Sequence, residues 1–324
     1  MTLRVTACIE KWPIAGRFVI SRGARTEATV VAVELSDGSA AGRAECVPYA
    51  RYGETPESVL AQIEAVAGTL SDRTALQALL PPGAARNALD CALWDLEAKR
   101  SGVPVAHRCA GMMPRPVLTA YTLSLGTPDE MSEATRKAAG RPLLKVKLGG
   151  DGDVERIRAV RAAAPRARLV VDANEAWSEE NYLENMIACL ESGVFLIEQP
   201  LPAGADDLLL HVPHPVPICA DESLHVFEDL EKIAGKYDAV NVKLDKAGGL
   251  TEALRTVEEA RRRGFLVMVG CMLGTSLAMA PAVLLAQYAQ VADLDGPLLL
   301  ARDRRPGLRY AGAMVEPPLP ALWG

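Results

Sequence analysis

Three acids, Asp172, Glu198 and Asp221, follow short apolar runs, LVVD, FLIE and PICAD, at steps of 26 and 23 residues. Carboxylates brought to one point repel unless a cation neutralises them, and hard oxygen ligands select Mg²⁺ or a similar divalent ion such as Mn²⁺. Acids at such places also cap the helices that follow. That alternative suits Asp172 and Asp221, but Glu198-Gln199-Pro200 makes a poor cap. Lys145 and Lys147 stand two apart in LLKVK, so a strand would show both on one face. Two ammonium groups about 4 Å apart repel by roughly 4 kcal/mol at an effective dielectric near 20, so Lys145 is expected to oppose charge on Lys147 and favour a general base there. Lys246, in VNVKLDK, is expected to face Lys147, with Lys243 competing for the role. Two lysines across a metal site suit one reaction class. A proton leaves carbon on one face and returns on the other while the metal stabilises the enediolate, giving racemisation or epimerisation.

The elements that must position these residues form a ladder. Apolar runs end at Lys147, Asp172, Glu198, Asp221, Lys246, Gly270 and Asp295, in steps of 25, 26, 23, 25, 24 and 25 residues. Each step fits one strand, one helix and two short loops. The earlier run VLTAYTLSL places Thr122 25 residues before Lys147 and brings the count to eight. Eight parallel units close into a barrel whose strands all end at one rim. Helices are expected in DGDVERIRAVRAAAP, SEENYLENMIACLESG, FEDLEKIAGKY and TEALRTVEEARRRG. Only 29 residues follow Asp295, with five prolines among them, so a full eighth helix is not expected. The first fifty residues alternate in strand fashion around an Asp37-Gly38 turn. Helical patterns follow from Pro56 and through AARNALDCALWDLEAKRSG to Gly102.

A chain of 324 residues exceeds the roughly 250 of a barrel alone. Hydrophobic residues make up 49 % and charged residues 23 %, which supplies a large core. A net charge of −6 without basic blocks beyond Arg261 to Arg263 argues against nucleic acid. Seven cysteines without CxxC spacing argue against a disulfide framework or zinc site and suit reduced thiols in a cytoplasmic protein. The N-terminal stretch lacks a continuous apolar segment, and the longest apolar run, LAMAPAVLLA, is too short for a membrane span. The oligomeric state is not fixed by sequence; a homo-oligomer is compatible with it.

Taken in order, Lys145-Val146-Lys147, Asp172-Ala173-Asn174, Glu198-Gln199-Pro200, Asp221-Glu222-Ser223 and Lys243-Leu244-Asp245-Lys246 resemble the motif set of the muconate-lactonising subgroup of the enolase superfamily, along the whole chain. The resemblance implies an α/β fold, a modified TIM barrel (β/α)7β, with an α+β capping domain. Residues 1–113 would form the cap, 114–300 the barrel, and 301–324 a tail packing back on the cap. It implies one Mg²⁺ on Asp172, Glu198 and Asp221, acid/base roles for Lys147 and Lys246, and an assisting role for Lys145.

Asp293-Leu294-Asp295 is similar to dipeptide epimerases of that subgroup, in which the acids bind the substrate ammonium group. The alternative is a simple Asp-Gly turn. Acids at the rim would repel an all-anionic substrate. ISRGARTEA and VPYARYGET look like the specificity loops of epimerases acting on L-Ala-D/L-Glu dipeptides. Among Arg22, Arg25 and Arg51, Arg22 is chosen for the distal carboxylate. Thr122 and Met272, at the rim, are assigned to the substrate pocket. The expected function is Mg²⁺-dependent epimerisation of such a small-molecule dipeptide in murein peptide recycling. The rivals are an o-succinylbenzoate synthase, an N-acylamino acid racemase, a cycloisomerase, an epimerase of another dipeptide, and a non-catalytic metal-bound barrel.

Overall fold

Alternating side chains in the first fifty residues build an antiparallel sheet, β1 (Arg4–Ile20), β2 (Gly23–Ser36) and β3 (Ala41–Cys46), in that order across the sheet. The computed structural model describes residues 3–110 and 113–324. Asp37 Oδ1 accepts from the Ser39 and Ala40 amides and fixes the expected turn between β2 and β3. Val31, Val33 and Leu35 of β2 enter the main core, whereas Val30 packs on Val47 and on Met272 of the opposite unit.

Helices α1 (Pro56–Val66), α2 (Arg73–Leu79), α3 (Ala84–Ser101) and α4 (Val105–Ala110) follow. Thr55 and Ser58 cap α1 reciprocally, and Gly102 ends α3 in the left-handed region. α3 lies directly on β3: a Cβ added at Gly42 would stand 2.2 Å from Ala92 O.

The ladder becomes one sheet. In chain order, the next elements are β4 (Val117–Leu118), β5 (Tyr121–Leu123), α5 (Pro128–Lys137), β6 (Leu143–Lys147), α6 (Asp153–Ala163), β7 (Arg168–Asp172), α7 (Glu179–Glu191) and β8 (Val194–Glu198). They continue as β9 (Ile218–Ala220), α8 (Asp229–Lys232), β10 (Ala239–Val242), α9 (Leu244–Ala247), α10 (Leu250–Arg262), β11 (Leu266–Val269), α11 (Ser276–Leu285), β12 (Val291–Ala292), α12 (Gly296–Leu299), β13 (Tyr310–Ala311) and β14 (Met314–Val315). Strands β5 to β12 lie side by side in chain order and pair in parallel. The sheet curls until a parallel bridge joins Thr119, just before its first strand, to Ala292 of its last.

Two of the seven connections between β5 and β12 depart from expectation. Residues between β8 and β9 form only a single 3-10 turn, Asp207–Leu210, and FEDLEKIAGKY yields the four residues of α8. After β12 the helix is also only four residues long, α12. β13 and β14 form a hairpin that pairs with β4, while Leu322 and Trp323 are buried in the first unit, Trp323 Nε1 donating to Cys91 O. Among the described residues, no helix is long and apolar enough to cross a membrane.

The lumen is layered. Ala120, Leu143, Val170, Leu196, Cys219, Ala239, Met268 and Val291, one from or beside each strand, form a separate apolar cluster. Side chains on one face of a strand recur every two residues. The next inward layer is therefore Thr122, Lys145, Asp172, Glu198, Asp221, Asn241, Gly270 and Asp293, where the chemistry resides.

Candidate active site

Lys145 is buried at the centre of that polar layer. Its Nζ lies 2.7 Å from both Asp293 Oδ2 and Glu198 Oε2 and 3.2 Å from Asp172 Oδ2. Burial disfavours its charge, but the surrounding carboxylates of Asp293, Glu198 and Asp172 outweigh burial and hold the pKa well above the usual lysine range. Lys147, one turn of the pleat higher, donates to Asp172 Oδ2 at 2.6 Å. The expected repulsion between the two lysines is therefore offset by a shared oxygen. Burial pulls the pKa of Asp172 up, yet Lys147 and Lys145 bring it below the usual carboxylate value. Glu198 is pushed up to about 7 by burial and by Asp172.

Asp221 binds two further lysines, Lys243 Nζ at 2.6 Å and Lys246 Nζ at 2.6 Å. Burial raises its pKa, and the two lysines reverse that effect to leave it well below the ordinary value. Here the structure places the two competing lysines differently from the expectation. Inward side chains of β10 follow the period of two from Ala239 through Asn241 to Lys243, and Lys246 lies beyond the strand, on the turn of α9. Lys243, with Lys147, lines a 430 Å³ cavity between the two units; Lys246 does not. Lys246 points back, donating to Asp221 O, Asp221 Oδ1 and, at 3.0 Å, Asn241 O. Burial lowers its pKa despite Asp221. Lys147 and Lys243 rise from β6 and the end of β10, four strands apart in an eight-stranded curl, and so face each other.

The upper wall of the cavity comes from the β1–β2 turn and the segment after β3, with Phe18, Ile20, Arg22, Arg25, Val47, Tyr49 and Tyr52. Met272 lines it from the barrel, where it packs on Val30 and Val47. Arg22 lines it too, but its guanidinium is already engaged. It lies 2.8 Å from Glu222 Oε1 and 3.2 Å from Glu175 Oε2, and donates to Tyr49 Oη and Asn174 O. Arg51 is bound in a fork by Glu175. Arg25, 5.4 Å from the Tyr49 ring centroid, has no ion-pair partner among the described residues. Arg22, the expected cation for substrate, is thus engaged within the protein, whereas Arg25 is not.

Thr122, Asp293 and Asp295, expected to bind substrate, are buried and are not among the residues that line the cavity. Asp295 accepts from Thr122 N at 2.6 Å, and burial together with Asp293 pushes it up to about 7.

The donor chemistry for a divalent cation is present: three fully or almost fully buried carboxylates on consecutive strands, with Glu198 Oε2 unpaired by any hydrogen bond although Lys145 is close. Among the described residues no three such side chains are gathered into a coordination cluster; Lys145 bridges Asp172 and Glu198, while Lys243 and Lys246 bind Asp221. Supporting residues are in place that the sequence reading missed. Asn241 Nδ2 donates to Glu198 Oε1 at 2.8 Å, and Gln199 Oε1 accepts from the amides of Asp221 and Ser223. Gly270 explains itself in this context: a Cβ there would lie 2.7 Å from Asn241 Oδ1. The alternation V-N-V-K and the glycine beside it were the available signals.

Known proteins resemble this chain along most of its length. Residues 2–108 match the family described as mandelate racemase / muconate lactonizing enzyme, N-terminal domain, and residues 129–317 match the enolase C-terminal domain-like family. The L-Ala-D/L-Glu epimerase of Escherichia coli is 49 % identical over 93 % of this chain and 95 % of its own length. The N-acetyl-D-glutamate racemase of a Pseudoalteromonas species is 45 % identical over 91 % and 95 %. A crystal structure of an enolase family member from Agrobacterium tumefaciens, with homology to dipeptide epimerases and bound sodium and L-Ala-L-Glu, superposes with a TM-score of 0.97 at 56 % identity over 99 % of this chain and 100 % of the other. A dipeptide epimerase from Methylococcus capsulatus, complexed with Mg and L-Arg-D-Lys, has a TM-score of 0.89 at 30 % identity, covering 98 % of each chain.

Proposed function

The chain belongs to the mandelate racemase / muconate lactonizing enzyme family and is an isomerase of the epimerase and racemase kind, and from that premise we propose that it epimerises L-Ala-D/L-Glu type dipeptides with Lys147 and Lys243 as the proton-transfer pair. The observation that carries the reading is that these two lysines, from opposite strands, line one cavity roofed by arginine-bearing loops.

In each turnover one lysine begins as the amine and the other as the ammonium. The amine takes the α-proton of the second residue onto Nζ, and the opposite lysine places its own proton on the other face of the same carbon. The charges of the pair are exchanged, and proton exchange with solvent resets them. A divalent cation, for which Mg²⁺ held by Asp172, Glu198 and Asp221 is the fitting choice, would supply positive charge to the substrate carboxylate and acidify the neighbouring C–H. Lys145 adds a second fixed charge beside that carboxylate. Arg25 is the cation for the glutamate side chain, and Asp293 and Asp295 attract the substrate ammonium group. Such a reaction would serve cytoplasmic recycling of murein peptides. Tyr49, Tyr52 and Phe18 exclude water above the reacting carbon.

Proton NMR in D₂O tests this. Deuterium should enter the α-position of the second residue from both L-Ala-D-Glu and L-Ala-L-Glu, and no exchange with either would refute the proposal. Similarity to an N-acetyl-D-glutamate racemase favours a second reading, racemisation of an N-acylated glutamate. The two differ in the ammonium group. Asp293→Asn with Asp295→Asn should slow the dipeptide reaction about a hundredfold while sparing an N-acetylglutamate reaction, and equal losses would remove the acids from ammonium recognition.

A further inference from the structure

The segment that carries Lys243 is gripped from above by a helix of the other unit. α3 approaches so closely that a Cβ on Gly248 would lie 2.4 Å from Arg86 Nε, and one on Gly249 2.4 Å from Asp90 Cβ. Arg86 Nη2 donates to Ala247 O at 2.8 Å, and Asp90 accepts from the Thr251 amide at 2.9 Å. Between these contacts, Asp245 Oδ1 accepts from Asn87 Nδ2 at 2.8 Å and from the Val47 amide at 3.0 Å. Asp245 and Asn87 are both buried. Val47 also lines the cavity, so a single carboxylate oxygen ties the turn of Lys243 to the cavity roof.

The two lysines differ in what holds their backbone. Lys147 is the last residue of β6 and pairs in register with Asp172 of β7. Lys243 lies one residue past the end of β10, where the paired register stops at Val242 and Val269.

We propose that Asp245, through Asn87 and Val47, is a positioning residue for Lys243, so that the capping unit fixes where the second proton-transfer group stands. The inference rests on the two-lysine reading above. Loosening the Asp245 node should harm the half-reaction of Lys243 and leave that of Lys147. A purely structural role would slow both alike.

The test follows α-proton exchange in D₂O separately from the two epimers of the dipeptide, with circular dichroism as the check on folding. Lys243→Ala identifies the epimer whose proton Lys243 removes. Asp245→Ala should slow exchange from that epimer at least about tenfold more than from the other, in line with the cost of ångström-scale misplacement of a reacting group. Asp245→Asn, which keeps the acceptor oxygen, should recover most of the loss. Asn87→Ala, which removes one donor only, carries the test if Asp245→Ala does not fold. Equal slowing of both epimers, or no recovery by Asp245→Asn, overturns the proposal. Absence of exchange by the unaltered protein overturns the reaction reading and this inference with it.

Discussion

Under the proposed mechanism Lys243 and Lys246, neighbours in one motif, take different tasks, and the difference is measurable. Lys243→Ala should cut epimerisation by about 10² to 10⁴, the usual worth of a general acid or base. Lys246→Met should instead weaken Mg²⁺ binding by about tenfold or more in calorimetry, because Lys246 holds both the backbone and the carboxylate of Asp221. The sequence made the residue types legible and left Lys243 competing with Lys246, since a ladder counted in steps of about 25 cannot tell a strand end from the helical turn beside it. Counting by twos from Ala239 does. The arginines were illegible for another reason: whether a guanidinium is free depends on acids contributed by distant loops, here Glu175 and Glu222. Asp245 adds a pH effect. Burial pushes its pKa up to about 7, so the folded protein binds a proton there that the unfolded chain has lost. Stability from this group should be fullest below about pH 4 and fall as pH rises through about 7, by on the order of a few kcal/mol at most. Asp245→Asn should flatten that fall in thermal unfolding followed from acid to mildly alkaline pH.

At the level of elements, the strands were read well because eight apolar runs at near-constant spacing admit few other arrangements. The helices were read less well. FEDLEKIAGKY has helical composition, yet Asp229 spends its carboxylate on the His225 and Val226 amides and the helix extends only to Lys232. The close packing of β3 on α3 was invisible in sequence because Gly42 shows its purpose only against Ala92 and Leu96. Gly42→Ala should destabilise the protein by about 1–3 kcal/mol through overpacking, and denaturant unfolding will measure it. A neutral result would mean that α3 can retreat from the sheet.

The whole molecule is held together by a chain end that returns to its beginning. Trp323 is fully buried against α3, so Trp323→Ala should cost about 3–5 kcal/mol and lower the unfolding midpoint accordingly. An unchanged midpoint would show that the tail merely rests on the surface. The division of labour within the barrel reaches further. The ring from Ala120 to Val291 is complete without any side chain above it. Letters in the upper storey can therefore be rewritten one strand at a time while the foundation still closes, and a lineage built on this plan can change its trade without rebuilding its house.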